Sequence, residues 1–288
     1  MESRNPVLRR ATAHEPQPGG AGFAYDEGRT AYAAAAGLET ASDSSAPSAD
    51  ELRTIYDTPG AGTGRLGLDD VIVKTALCFV VLLPGALIGW NTATTIPWLF
   101  WVASLVGLGL GLANVFKKQV SPPLVLAYAF VQGIFLGGIS YLFNQIAEAN
   151  GYSGIVQQAV LGTLVAFAVM LTLYRTRIIK VNGTFMKIMM VSMVSYLVIG
   201  LASLVGALFG VGGGWGFYGV GTWGLLLCAA GVLLASFSLA LDFESINQAI
   251  RYGLPERESW RLAFGLLVTL IWLYLEILRL LAILSGRD

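Results

Sequence analysis

The chain has 288 residues, 55% of them apolar and 12% charged, and its formal net charge is zero. Soluble domains carry about a quarter of their residues as charged ones, so the composition excludes an ordinary soluble globule and points to an integral membrane protein. Eleven of the 18 acids precede Val71, and between Val71 and Leu241 there is one, Glu148. No basic patch with interleaved aromatics is present, so no nucleic-acid partner is expected. The only histidine is His14, and the two cysteines, Cys78 and Cys228, lie in separate apolar runs. That leaves no zinc or haem motif, and the cysteines read as small buried hydrophobes.

Residues 1–67 are rich in Ala, Gly, Ser, Pro and charge, without helical or strand period, and read as a disordered cytoplasmic tail. Arg4, Arg9 and Arg10 are followed by no apolar core of signal-peptide length, so no cleaved signal is expected. Asp69 and Asp70 suit a helix N-terminus. From there a seven-helix transmembrane domain, 68–288, is expected. Its apolar segments cover roughly 71–91, 95–116, 122–146, 154–174, 184–209, 223–250 and 258–285, each near the ~20 residues a bilayer requires.

Lys74, one turn into the first segment, is expected to snorkel to the surface. Pro84 falls inside that segment, and Pro122 and Pro123 open the third, where a missing N–H costs little. Gly107 with Gly111 and Gly133 with Gly137 repeat at four-residue spacing and read as close packing between helices. Gln132, midway through the third segment, needs a hydrogen-bond partner and either joins a neighbouring helix or lines a pathway. The loop Gly210–Gly219 lacks the strand, helix and lysine of a phosphate cradle; Trp215, Phe217 and Tyr218 read as interfacial anchors.

Lys117 and Lys118, then Arg175, Arg177, Lys180 and Lys187, then Arg251, Arg257 and Arg261 mark alternate connections. The other three connections hold no Lys or Arg. The positive-inside bias puts the N-terminus in the cytoplasm and the C-terminus outside.

The chemistry concentrates in the last two segments. Asp242 and Glu244 end the apolar run Trp223–Leu241, and Glu276 and Arg279 lie inside Leu273–Leu281. Ionisable groups at such depth are functional candidates by default. If the seventh helix begins near Arg261, Asp242 and Glu276 become near neighbours. If it begins at Glu256, they stand ~15 Å apart along the normal. As a pair they would share a proton or a hard cation such as calcium, and protonating either would weaken cation binding. The competing reading is a Glu276–Arg279 bridge at i,i+3, with Asp242 and Glu244 wetted and paired with Arg251. A retinal site, a rhomboid-like protease and an aspartyl intramembrane protease are not expected: the last helix has no lysine, no membrane histidine exists and the sequence contexts of the acids are wrong.

Val125–Ser140, Gln158–Thr163, Tyr174–Ile178, Leu241–Phe243 and Trp272–Leu281 together resemble the Bax inhibitor-1/YccA-like family, most closely its actinobacterial branch, over about Leu66 to Leu284. The resemblance implies an all-α membrane fold of seven transmembrane helices, the last central among the other six, in a bacterial inner membrane. It also implies a pH-sensitive calcium leak with paired acids on the last two helices. Asp242 matches the first acid, and Glu276 stands where the family usually has Asp. The two are 34 positions apart here, longer than in the best-known members.

The expectation is therefore a non-enzymatic cation leak. Asp242 and Glu276 would bind calcium or gate, with Arg279, Gln132, Glu244 and Arg251 in support and the lipid bilayer and a cation as partners. The alternative is a non-conducting regulator of a membrane protease or other membrane complex.

Overall fold

The computed structural model describes residues 64–211, 216–218 and 222–286, all within the second of two units, 59–288. The readings made for residues 1–63, Trp215 and the Tyr218 side chain lie outside the described residues. Among the described residues, seven helices are long and apolar enough to cross a membrane: α1 Leu68–Thr92, α2 Leu99–Phe116, α3 Pro122–Ala149, α4 Ile155–Arg175, α5 Gly183–Leu208, α6 Thr222–Arg251 and α7 Ser259–Ser285. No strand occurs among the described residues; Arg65 and Pro255 form an isolated bridge.

Local chemistry sets the helix starts. The Asp70 carboxylate accepts the Gly67 N–H at 2.8 Å, satisfying a donor that a helix N-terminus leaves over. Pro122 and Pro123 fill the first positions of α3. Asn182 caps α5 by accepting the Phe185 N–H at 2.7 Å, the usual work of an Asn there.

The last helix organises the bundle. α7 packs against α1, α3, α4 and α6 and contributes to three separate apolar clusters. Leu267 and Ile271 join Cys78, Leu82 and Val125. Leu266 and Leu273 join Met170, Leu239 and Phe243. Leu278 and Ala282 join Phe143, Ile155 and Ala159. A helix apolar on every side is a buried one. At the other extreme, α5 buries only Met189 and Ser203.

α1 and α3 interlock through glycine. A Cβ on Gly133 or Gly137 would strike the backbone oxygens of Leu82 and Ala86, and one on Gly85 or Gly89 those of Phe130 and Ile134. The four glycines, two per helix at four-residue spacing, let the backbones touch, the device expected where lipid supplies no hydrophobic drive between helices. Gly107 and Gly111 do the same for α2, facing the side chains of Gln132 and Tyr128.

The α6–α7 turn clasps the start of the domain. Leu66, 3% exposed, donates its N–H to Leu254 at 2.9 Å, and the Glu256 N–H reaches Gly64. The Lys74 ammonium bonds Glu256 at 2.9 Å and Ser259 at 2.6 Å, reaching the α6–α7 turn at the end of the bundle where α1 starts.

Candidate functional site

Glu276 is the most deeply buried charged side chain among the described residues, 2% exposed. It lies four residues past the midpoint of α7, ~6 Å from the helix centre. Three groups surround its carboxylate. Tyr196, from α5, donates its hydroxyl to Oε1 at 2.9 Å, and the Trp272 indole, one turn back, donates to the same oxygen at 3.1 Å. Arg279 lies 3.8 Å from Oε2 and also reaches Cys228 on α6. Oε2 has no hydrogen bond and sits against Gly231 of α6: a Cβ there would lie 2.8 Å from it. The expected i,i+3 bridge with Arg279 is therefore present, but long. The stronger ties run to two aromatic donors that the sequence reading did not single out.

Asp242 occupies a different notch on the same seam. Its neighbours across the interface are Thr269, its hydrogen-bond partner, and Gly265, whose Cβ would stand 3.8 Å from Oδ1. Its Oδ2 is buried without a partner. Since 231 faces 276 and 242 faces 265, the helices run antiparallel in one fixed register. From Gly231 to Asp242 is eleven residues, ~16 Å at 1.5 Å per residue. The two acids straddle the middle of the bundle and do not meet.

This corrects the paired-carboxylate expectation. A 3-10 turn at Glu256–Glu258 leads straight into α7 at Ser259, so the helix starts near the early limit. Between the two acids the seam is filled by Ala235, Leu239, Leu266 and Leu273. One calcium ion cannot be shared across that distance, since its ligands lie 2.3–2.6 Å away.

The supporting residues separate as well. Glu244 accepts from Tyr174 at 2.7 Å and from Gln248 at 3.0 Å, and Asn247 donates to the Tyr174 hydroxyl at 2.6 Å. Arg251 lies close enough to act on the Glu244 charge. That cluster fastens α4 to the end of α6, so Glu244 keeps its expected neighbour Arg251 while Asp242 does not join it. Gln132 donates to Tyr128 at 3.3 Å, and its Oε1 faces Gly107. Its amide therefore sits on the α2–α3 seam.

The fold and the site define a multi-pass membrane protein whose central helix carries an acid bound by aromatic donors and an arginine. The chain belongs to the Bax inhibitor 1 like family: the family model matches residues 5–286. No curated protein matches the chain.

Proposed function

We propose that this protein is a pH-sensitive cation leak of a bacterial inner membrane, with calcium as the expected cargo and the N-terminus in the cytoplasm. The observation that carries the reading is Glu276, an acid at membrane depth tied at once to α5 and α7. Ionised, it accepts from Tyr196 and Trp272 and faces Arg279, which holds α5 against the central helix and keeps the seam shut. Protonated, it is a weaker acceptor and no longer balances Arg279, so α5 is released and the leak rises as pH falls. Glu276 is thus the gate. Asp242, ~16 Å further along the seam, is a separate acidic station that draws the cation in. The groups facing Glu276 are Tyr196 on α5, Trp272 and Arg279 on α7 and, through Arg279, Cys228 on α6.

The test is calcium flux into liposomes holding the purified protein, read across several pH values. Glu276→Gln, which mimics the protonated acid, is expected to leak at every pH and to lose the pH dependence. Asp242→Asn is expected to lower flux throughout. No flux in the wild type at any pH, or wild-type flux and pH dependence in both single variants, sinks the proposal. Absence of flux together with a stoichiometric membrane-protein partner in mild detergent would favour the regulator instead.

A further inference from the structure

Two arginines fasten the α2–α3 connection to the start of α7. Arg257 Nε donates to the Val120 carbonyl at 3.1 Å, and Arg261 Nη2 donates to the Lys118 carbonyl at 2.9 Å. The connection itself carries Lys117 and Lys118, both exposed. Four cations from two sequence-remote segments are thus held at one corner of the bundle. Glu258 lies 3.3 Å from Arg261, while Glu256 is turned away to Lys74 on α1. α2, the connection and α3 bring no acid here, since their one acid, Glu148, is at the far end of α3. Among the described residues, Lys117, Lys118 and Arg257 form no salt bridge. Four cations against one carboxylate leave the corner strongly positive.

The corner also lies where hydrocarbon gives way to headgroups. α2 ends at Phe116, and its last two residues, Val115 and Phe116, are 67% and 79% exposed. An apolar span that ends on outward-facing apolar side chains keeps acyl chains beside it up to that point. Lys117 and Lys118 follow at once, at the level of the lipid phosphates. The α4–α5 connection, at the same end of the bundle, carries Arg175, Arg177 and Lys180 and makes the natural comparison: it is as basic, but in one segment only.

We propose that the headgroup phosphate of an anionic phospholipid, from the leaflet at this end, binds among Lys117, Lys118, Arg257 and Arg261 and ties the α2–α3 connection to the central helix. The proposal goes beyond the leak and does not depend on it; it needs only the seven-span fold. A guanidinium has five N–H donors. Arg257 spends one on Val120, and Arg261 spends its own on Lys118 and Glu258, so donors remain for phosphate oxygens. The two lysines supply point charges from the other side. A zwitterionic headgroup brings its own cation to a corner already positive, so the selection is for lipids of net negative charge. Each Lys or Arg near such a headgroup strengthens attraction by roughly fivefold in affinity.

The purified full chain in a neutral detergent is titrated with phosphatidylglycerol and, separately, with phosphatidylcholine, and bound lipid is counted by native mass spectrometry. The wild type is expected to hold its first phosphatidylglycerol roughly tenfold or more tighter than phosphatidylcholine. Lys117→Gln with Lys118→Gln is expected to remove most of that preference. Arg175→Gln with Lys180→Gln makes the same change of charge at the α4–α5 connection and is expected to keep it. Equal affinity for the two lipids overturns the proposal, and so does an equal loss in both double variants, which would mark a diffuse attraction. Displacement of phosphatidylglycerol by glycerol 3-phosphate at matching concentration would mean a site for soluble phosphates and overturns the lipid assignment. A second readout needs no variant. In phosphatidylcholine nanodiscs, replacing part of the lipid by phosphatidylglycerol is expected to slow amide exchange across residues 117–121 several-fold. Unchanged exchange there overturns the proposal even if a variant fails to fold. Neither readout involves calcium flux, so loss of the leak reading leaves this test intact.

Discussion

In the proposed leak the Tyr196–Glu276 tie is the joint on which gating would depend, and it can be weighed. The bond is 2.9 Å long and its acceptor is 2% exposed. A hydrogen bond to a charged group contributes ~1.5–3 kcal/mol in soluble proteins, but interhelical polar contacts in membranes average ~0.6 and reach ~1.7 kcal/mol. The membrane value governs the comparison, because the separated helices also find partners in lipid. The charge and near-complete burial place this pair at the upper end, ~1–1.5 kcal/mol of coupling. A double-mutant cycle with Tyr196→Phe and Glu276→Gln measures the part of it that depends on the carboxylate charge, read by reversible unfolding in mixed micelles. Glu276→Leu is a harsher cut: it strands the Tyr196 hydroxyl, the Trp272 indole and Arg279 together. Removing one partner of a buried ion pair costs ~3–5 kcal/mol. With Arg279 28% exposed the low end applies, ~3 kcal/mol. A coupling below ~0.3 kcal/mol, or a Glu276→Leu variant as stable as wild type, would show that α5 is not held through this carboxylate.

Four further outcomes follow from the geometry. Gly137→Ala is expected to lower thermal stability by ~1–3 kcal/mol, because its Cβ meets the fixed backbone of α1 and the helices must part. Gly109→Ala, with open space around it, should instead match or exceed wild type in the same melt, by up to ~1 kcal/mol. Lys74→Ala removes an ion pair whose carboxylate is 42% exposed, so its stability cost is expected to be small, ~1 kcal/mol or less; the sharper readout is faster amide exchange across residues 252–258. Asp242→Asn, measured by calcium flux across several pH values, should reduce the rate without flattening the pH profile, since Asp242 has no contact with the Glu276 clasp.

Span number and limits were readable because twenty-residue apolar runs between charged or Pro-bearing connections leave little choice. The depth of Glu276 was readable for the same reason: an acid in Leu273–Leu281 has nowhere else to be. The partner of Glu276 was not. It depends on helix phase, and a shift of the α7 start from Arg261 to Ser259, with a 3-10 turn ahead of it, helps carry Asp242 away from Glu276. Tyr196 left only a faint signal, one hydroxyl-bearing ring in the middle of the mostly apolar α5. Its meaning required knowing that α5 faces α7 there. The α1–α3 interlock was half legible. The Gly133–Gly137 pair was noticed, while its counterpart Gly85–Gly89, with the same spacing two segments earlier, could have been matched to it.

The register of the α6–α7 seam has one more consequence. Each acid lies opposite a glycine, Glu276 against Gly231 and Asp242 against Gly265, yet the two notches differ in depth. At Gly231 an added Cβ would collide with the Tyr196 hydroxyl and come within 2.8 Å of the Glu276 carboxyl carbon; at Gly265 the nearest carboxyl oxygen is 3.8 Å away. The first spacing forces movement and the second is ordinary contact. Gly231→Ala should therefore pry Tyr196 from Glu276 while leaving every ionisable group in the protein intact. Gly265→Ala should be tolerated and gain the ~0.5–1 kcal/mol that alanine offers over glycine inside a helix. If the gate is a matter of contact between α5 and α7, and not merely of the charge on Glu276, Gly231→Ala will reproduce the raised, pH-insensitive leak expected of Glu276→Gln. Unfolding of both alanine variants in the same micelles controls for general damage. A Gly231→Ala protein that folds, leaks as wild type does and keeps its pH profile would mean that the clasp plays no part in gating.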